Sequence, residues 1–309
     1  MKIAAIKCSA GLNLGNNFIN YGGQAVLKKL YPEATIETFE FFDSCLPQWK
    51  SEEYLTPSTQ EYIKNNFDII FIFSGSAGGD TLYQRLYKQI DKLGVPFIPI
   101  GIGCEGSYND SEKKAMQNIL ALDNCKKIIT RDPKTFSFLE NTKDCYSGID
   151  LAFFAKDYLG ECKENSSFKY AVVNYEPQGY LELNKAFEFK KYLEQYFPKV
   201  YMAENTVHPS RKDIEDYIQI GYGSDLWRFY ANSSFNISTR IHTCVCSISN
   251  EVDFMYTGHH DTGGKKGRNT LFNAIDITLN AGEQYSSKQY TDKINTKKNE
   301  YIDNLKLFL

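Results

Sequence analysis

The sequence predicts an α/β protein made of two successive halves, each alternating strands with helices. Two observations carry this. Apolar, β-rich runs such as DIIFIFS (68–74) and VPFIPIGIG (95–103) end in glycine, and each is followed by a stretch with helical spacing. The alternation then lapses over DYLGECKENSSFK (157–169), which is rich in Glu, Lys and Ser, and restarts at YAVVNYE (170–176). Doubly wound α/β domains have this form, with ligands taken at the C-terminal ends of their strands.

In the first half, KIAAIKC (2–8) reads as a strand. GLNLGNNFINYGG (11–23) reads as a polar loop and QAVLKKL as the helix after it. ATIETF (34–39) is a second strand. After 68–74, Asp80 can cap a helix whose apolar positions Leu82, Leu86, Ile90 and Leu93 share a face. A helix near 111–122 precedes the strand KKIIT (126–130). In RDPKTFSFLE, Asp132 serves as N-cap and Pro133 as the first helical residue. In the second half, strands are expected at 170–176, 199–204, FNIST (235–239) and VDFMYT (252–257). Helices are expected at 181–197, near 210–220, near 224–231 and over HTCVCSIS. The tail 281–309, with Tyr285, Tyr290, Ile294, Tyr301, Leu305 and Phe308, reads as helical and able to pack back on the first half. The expected division is 1–160, 165–285 and a helical segment 286–309.

At 309 residues, 42% hydrophobic and 24% charged, the chain can bury two cores. A net charge of −3 argues against broad attraction to nucleic acid or anionic membrane, so local cations would have to meet any anionic ligand. No run approaches the ~18 apolar residues of a membrane span, and the N-terminal run is too short for a secretory signal. The eight cysteines form no C-x-x-C pair and read as reduced, buried thiols. The expected location is the cytoplasm.

Arg240 and His242, in NISTRIHTCVCSISN (236–250), fall where a strand ends and a helix begins. There an arginine can grip a carboxylate or phosphate and a histidine can move protons near neutral pH. A structural ion pair and a hydrogen-bonded core histidine would fit the same position. Cys246, four residues on, does not make a metal site with one histidine. Gly75, in GSAGGD (75–80), lets backbone approach a ligand or simply makes a tight turn, and the motif fits no nucleotide fingerprint. Asn16 and its neighbours could bond sugar hydroxyls or form turns. Arg131 sits at a strand end without the structural job its neighbour Asp132 has. Lys265, Lys266 and Arg268 could neutralise a phosphate or line a solvated loop. His259, His260 and Asp261 lack a third spaced ligand and read as a polar loop, and His208 as loop surface.

Taken in order, IFIFSGSAGG, PFIPIGIG, ITRDPKTFSFLE with GIDLAFF downstream, and ISTRIHT followed by FMYTGHHDTGGKKGRNTLF resemble the polysaccharide pyruvyl transferase family over nearly the whole chain. The resemblance implies two Rossmann-like domains of GT-B-like arrangement with the site in the cleft between them. It implies transfer of a pyruvyl group from phosphoenolpyruvate to a sugar as a ketal, without a metal or organic cofactor. It carries the R-x-H pair onto Arg240 and His242 and the R-D pair onto Arg131 and Asp132. Arg131, Lys265 and Lys266 would complete the anion site, with a nucleotide- or lipid-linked saccharide as acceptor and at most peripheral membrane contact. Three features depart from the family's pattern. GNNFINYGG replaces a G-N-x-G-D-like loop, Ser74-Gly75-Ser76 replaces a fuller glycine run, and Ile149 stands where many members have Pro. The alternatives are a GT-B-like glycosyltransferase using a nucleotide sugar and a family member that binds glycan without turnover.

Overall fold

A computed structural model describes all residues except 9–12, 41–53, 74–80, 105–108, 140–141, 143, 165–166, 175–182, 206–215 and 259–269. The first sheet contains β1 (Lys2–Lys7), β2 (Thr35–Glu40), β3 (Ile69–Phe73), β4 (Phe97–Ile102), β5 (Ile128–Thr130) and β6 (Cys145–Ser147). Its order is β2-β1-β3-β4-β5-β6 and every pairing is parallel. The second contains β7 (Ala171–Asn174), β8 (Val200–Ala203), β9 (Tyr217–Ile218), β10 (Phe235–Ser238), β11 (Asp253–Tyr256) and β12 (Glu283–Tyr285). Its order is β12-β11-β10-β7-β8-β9, parallel except for β12. Chain order reverses at β1/β3 and at β7/β10, and such switch points open crevices at the strand C-termini.

The apolar runs β3 and β4 are almost wholly buried because helices cover both faces of a parallel sheet. Leu86 and Ile90 of the helix Thr81–Asp91 bury as their spacing requires. Asp132 caps the short helix Pro133–Phe136, its side chain accepting from Thr135 N–H at 2.7 Å. Asp80 lies outside the described residues.

Three expectations need correction. Most of the loop expected over 11–23 is helix, because Asn16–Leu30 is one continuous element whose buried face includes Phe18, Ile19, Gly22 and Gly23. Tertiary burial of that face overrides the turn preference of its asparagines. Tyr217–Ile218 pairs with β8 as a strand where a helix near 210–220 was expected, since the open edge of β8 offers hydrogen-bonding partners. In the tail, helix occupies Thr291–Phe308, while Glu283–Tyr285 closes the second sheet antiparallel to β11.

One core runs without a break from the inner face of the first sheet through Leu151–Ala155 to the helices Gly223–Ala231 and Ile241–Ser249. Phe18 meets Trp227 edge-on at 4.8 Å. The C-terminal helix returns to the first half, placing Tyr301 against Phe154 at 5.6 Å and Phe308 against Tyr146 at 5.5 Å, both rings tilted. Lys298 on this helix and Lys29 both pair with Asp157. No helix among the described residues is long and apolar enough to cross a membrane.

Gly22 controls how closely the first helix lies on the turn Leu151–Phe154. A Cβ there would stand 1.7 Å from the Leu151 carbonyl oxygen, which is backbone and cannot rotate away. Gly22→Ala in a free helix would gain up to ~1 kcal/mol. Here overpacking is expected to reverse the sign and cost about 1–3 kcal/mol, read as a lowered urea midpoint.

Candidate active site

The site forms where the C-terminal ends of the two sheets face each other. The strand β10 ends at Ser238, whose hydroxyl donates to Asn174 Oδ1 at 2.9 Å and accepts from Arg240 N–H at 2.9 Å. Arg240 is the N-cap of the helix Ile241–Ser249, and its side chain makes no cap bond. His242 therefore lies in the first turn, among N–H groups that the helix itself leaves unpaired. Beneath it a buried network fixes the helix start. Asn174 Nδ2 donates to Asn205 Oδ1 at 3.1 Å and to the Tyr230 hydroxyl at 2.9 Å, and Asn205 Nδ2 donates to Thr243 Oγ1 at 3.1 Å.

From the first half, the turn Asn13–Gly15 reaches over this helix. Leu14 N–H donates to the Asn205 carbonyl at 2.9 Å, tying the halves together. Gly15 N–H donates to Asn13 Oδ1 at 3.0 Å, and Asn13 Nδ2 donates to Asn16 Oδ1 at 3.2 Å. Asn16 opens the first helix beside Gly15.

Arg131 follows β5 and is buried, 8% exposed. Its Nη2 donates to the Cys104 carbonyl at 3.0 Å, and its Nε lies 3.8 Å from Asp132. Its guanidinium crosses Gly103, where a Cβ would meet Nε at 2.0 Å. Arg131 thus has the structural job that the sequence did not reveal. Its Nη1 lies 4.0 Å from Asp150 Oδ2, and that same oxygen lies 3.8 Å from His242 Nε2. At these distances neither contact is a hydrogen bond, and the one to Arg131 is an ion pair. Asp150 is 1% exposed, and its other oxygen accepts from Ala152 N–H at 2.9 Å. Burial alone would push the Asp150 carboxyl up. His242, Arg131 and the Ala152 N–H outweigh burial and hold it below the ordinary carboxylate range, so it is ionised at neutral pH.

Arg131, His242 and Asn16 are thus drawn into one region by Asp150 and the Gly15 turn. Gly75, Lys265 and Lys266, like His208 and the His259–Asp261 cluster, lie outside the described residues. Sequence reasoning passed over Asp150, Gly15 and the Asn174–Asn205 network. A lone acid between GI and the apolar LAFFA was the available signal for Asp150, because an unpaired carboxylate is rarely placed in such a run. The described cysteines are buried. Burial pushes the thiol of Cys145 up to about 11 and those of Cys104 and Cys125 up to about 12. Cys246 directs its sulfur to the Trp227 carbonyl at 3.4 Å and serves packing.

The polysaccharide pyruvyl transferase family profile matches residues 13–261. A search of curated proteins finds no match. Among solved structures, a putative UDP-N-acetylglucosamine 2-epimerase from Listeria monocytogenes aligns over 99% of this chain and 90% of its own, with TM-score 0.56 and 12% identity. The S. aureus MnaA–UDP co-structure aligns over 99% and 89%, with TM-score 0.55 and 13% identity. The Neisseria meningitidis UDP-GlcNAc 2-epimerase bound to UDP-GlcNAc aligns over 100% and 93%, with TM-score 0.52 and 11% identity. At such identities the likeness concerns the fold, which is GT-B-like: two Rossmann-like sheets facing across a cleft, with a C-terminal helix.

Proposed function

The chain belongs to the polysaccharide pyruvyl transferase family, and from that premise we propose that it moves a pyruvyl group from phosphoenolpyruvate to a sugar, forming a ketal. The observation that carries this reading is the buried Asp150 carboxylate shared between Arg131 of one half and His242 of the other. It keeps a cation and a proton carrier side by side at facing strand ends. A donor with a carboxylate and a phosphate needs that combination.

In this reading Arg240 and the N–H groups of its helix start hold the donor's carboxylate or phosphate, favoured by the positive end of the helix. Arg131 supports the anion site from across the cleft, joined by Lys265 and Lys266, which follow β11 in sequence. Asn16 meets the acceptor. His242, when it carries a proton on both nitrogens, gives one to C3 of the enol, leaving positive charge at C2. A first sugar hydroxyl bonds to C2 and returns its proton to His242. The C2–O bond to phosphate then breaks, a second hydroxyl bonds to C2, and its proton leaves with the phosphate. Donor and diol become ketal and inorganic phosphate with protons balanced and no change in oxidation state. The reading places this step in the cytoplasm, on a nucleotide- or lipid-linked saccharide precursor.

The test is phosphate release from phosphoenolpyruvate across a panel of nucleotide-linked and lipid-linked sugars, with pyruvyl incorporation followed by mass. One phosphate per pyruvyl group gained is expected. Consumption of a nucleotide sugar without phosphoenolpyruvate would make the protein a glycosyltransferase. Glycan binding with no phosphate released would make it a binding protein.

A further inference from the structure

His242 has two nitrogens, and the structure separates them. Nε2 is fully buried, forms no hydrogen bond, and faces Asp150 Oδ2 at 3.8 Å. Nδ1 lies on the other side of the ring, toward the Asn13–Gly15 turn. A Cβ placed on Gly15 would sit 3.1 Å from Asn13 Oδ1, 3.3 Å from the His242 Cβ and 3.4 Å from Nδ1. Gly15 has ordinary helical backbone angles, φ −61 and ψ −25, so conformation does not demand a glycine there. Space between Asn13 Oδ1 and the ring does. The turn is pinned by Leu14 N–H on the Asn205 carbonyl and by Gly15 N–H on Asn13 Oδ1, so the opening over Nδ1 is part of the built structure.

We propose that Asp150 is the positioning residue that holds the neutral His242 ring with its proton on Nε2, so that Nδ1, in the gap left by Gly15, exchanges protons with substrate. The proposal rests on the pyruvyl-transfer reading only for what the proton does. The ring's orientation is independent of it. The physical cause is the charge of the buried carboxylate. An anion in a low-dielectric surrounding attracts an N–H and repels a lone pair, even at ion-pair distance. Asp150 cannot turn away, because Ala152 N–H holds its Oδ1 at 2.9 Å. The other groups around the carboxylate are the Arg131 guanidinium, which keeps it ionised, and the buried Tyr301 of the C-terminal helix, whose hydroxyl makes no hydrogen bond. Neither hydrogen-bonds Oδ2, which leaves that oxygen to the ring's N–H.

The decisive measurement is the tautomer of His242, read by nitrogen NMR on protein labelled with 15N-histidine. The signal is assigned by its loss in His242→Gln, and the spectrum is taken where the ring is neutral. The wild-type ring is expected to carry its proton on Nε2. In Asp150→Asn the Ala152 N–H keeps the amide oxygen on its side and turns the amide N–H₂ toward Nε2. The ring should then invert and carry its proton on Nδ1. A merely structural role for Asp150 would leave the tautomer unmoved. In transfer assays Asp150→Asn is expected to lower kcat by about 10²-fold or more, in the range of general acid–base contributions. Gly15→Ala, which touches neither Asp150 nor the Nε2 side, is expected to lower kcat by roughly tenfold with unchanged NMR tautomer. It would do so by covering the nitrogen that takes up and gives the mobile proton.

A wild-type ring protonated on Nδ1, or a tautomer unchanged in Asp150→Asn, overturns the role of Asp150. Wild-type kcat in folded Gly15→Ala overturns the assignment of Nδ1. Should the wild-type protein transfer no pyruvyl group at all, the functional reading falls. The tautomer measurement still decides the positioning.

Discussion

Arg131→Ala is expected to destabilise the protein by about 3–5 kcal/mol at neutral pH, the usual cost of removing one partner from a buried ion pair. The variant would leave Asp150, 1% exposed, with His242 and the Ala152 N–H as its remaining support, and would empty the space above Gly103. The deficit should depend on pH with a definite sign. The Asp150 carboxyl in the folded protein is held below its ordinary value, so its stabilisation is fully present above the unfolded carboxylate pKa of ~3.9. It is lost as pH falls through the lower folded value. Arg131 supplies part of that stabilisation, so the gap between wild type and Arg131→Ala should be widest at neutral pH. It should narrow as the pH drops below about 4. Urea denaturation at pH 7 and near pH 3 measures this directly. A gap unchanged in acid would show that Arg131 acts through packing alone. Arg131→Lys should recover only part of the loss, because an ammonium cannot bond the Cys104 carbonyl and face two carboxylates in one plane.

The second large effect concerns chemistry rather than stability. His242→Ala and Arg240→Ala are each expected to lower pyruvyl transfer by about 10²–10³-fold, the typical loss on removing one preorganised group. Both residues are partly exposed in the first turn of their helix, and the Asn174–Asn205–Tyr230–Thr243 network that sets the helix start uses neither side chain. The helix start should therefore survive, with a lowered urea midpoint in His242→Ala because Asp150 loses one of its supports. The two variants should differ in kind. Loss of Arg240 should raise KM for phosphoenolpyruvate as well as lower kcat, since it removes donor binding. Loss of His242 should fall mainly on kcat. Steady-state kinetics in phosphoenolpyruvate separates them, and full activity in either folded variant would remove that residue from the mechanism.

The order of elements was legible because burial on both faces of a parallel sheet leaves continuous apolar runs, and DIIFIFS and VPFIPIGIG are such runs. Asp132-Pro133 was legible for a local reason: cap and first helical residue are neighbours in sequence. The strand-to-helix junction at Arg240 and His242 was legible for the same reason. The first loop was misread, because its Gly and Asn residues have strong turn preferences. Only the neighbouring turn at Leu151 and the ring of Phe73 show why Gly22 and Gly23 belong in a helix. The strand Tyr217–Ile218 was misread because its pairing with β8 is a contact between elements.

Local pattern therefore sufficed for the α/β class, the two halves, and the placing of Arg131, Arg240 and His242 at strand ends. Those features depend on residues within one turn or one strand of each other. Folding in three dimensions decided which of them meet. Asp150 stands 19 residues after Arg131 and 92 before His242 (150 − 131 and 242 − 150), yet one of its oxygens faces both. No periodicity encodes that meeting, because it depends on how two sheets and a shared core set their strand ends against one another. The same placement turned Arg131 from a cation with no evident task into one held by Cys104 and two carboxylates. It also turned Gly15 from a turn former into the space beside a histidine nitrogen.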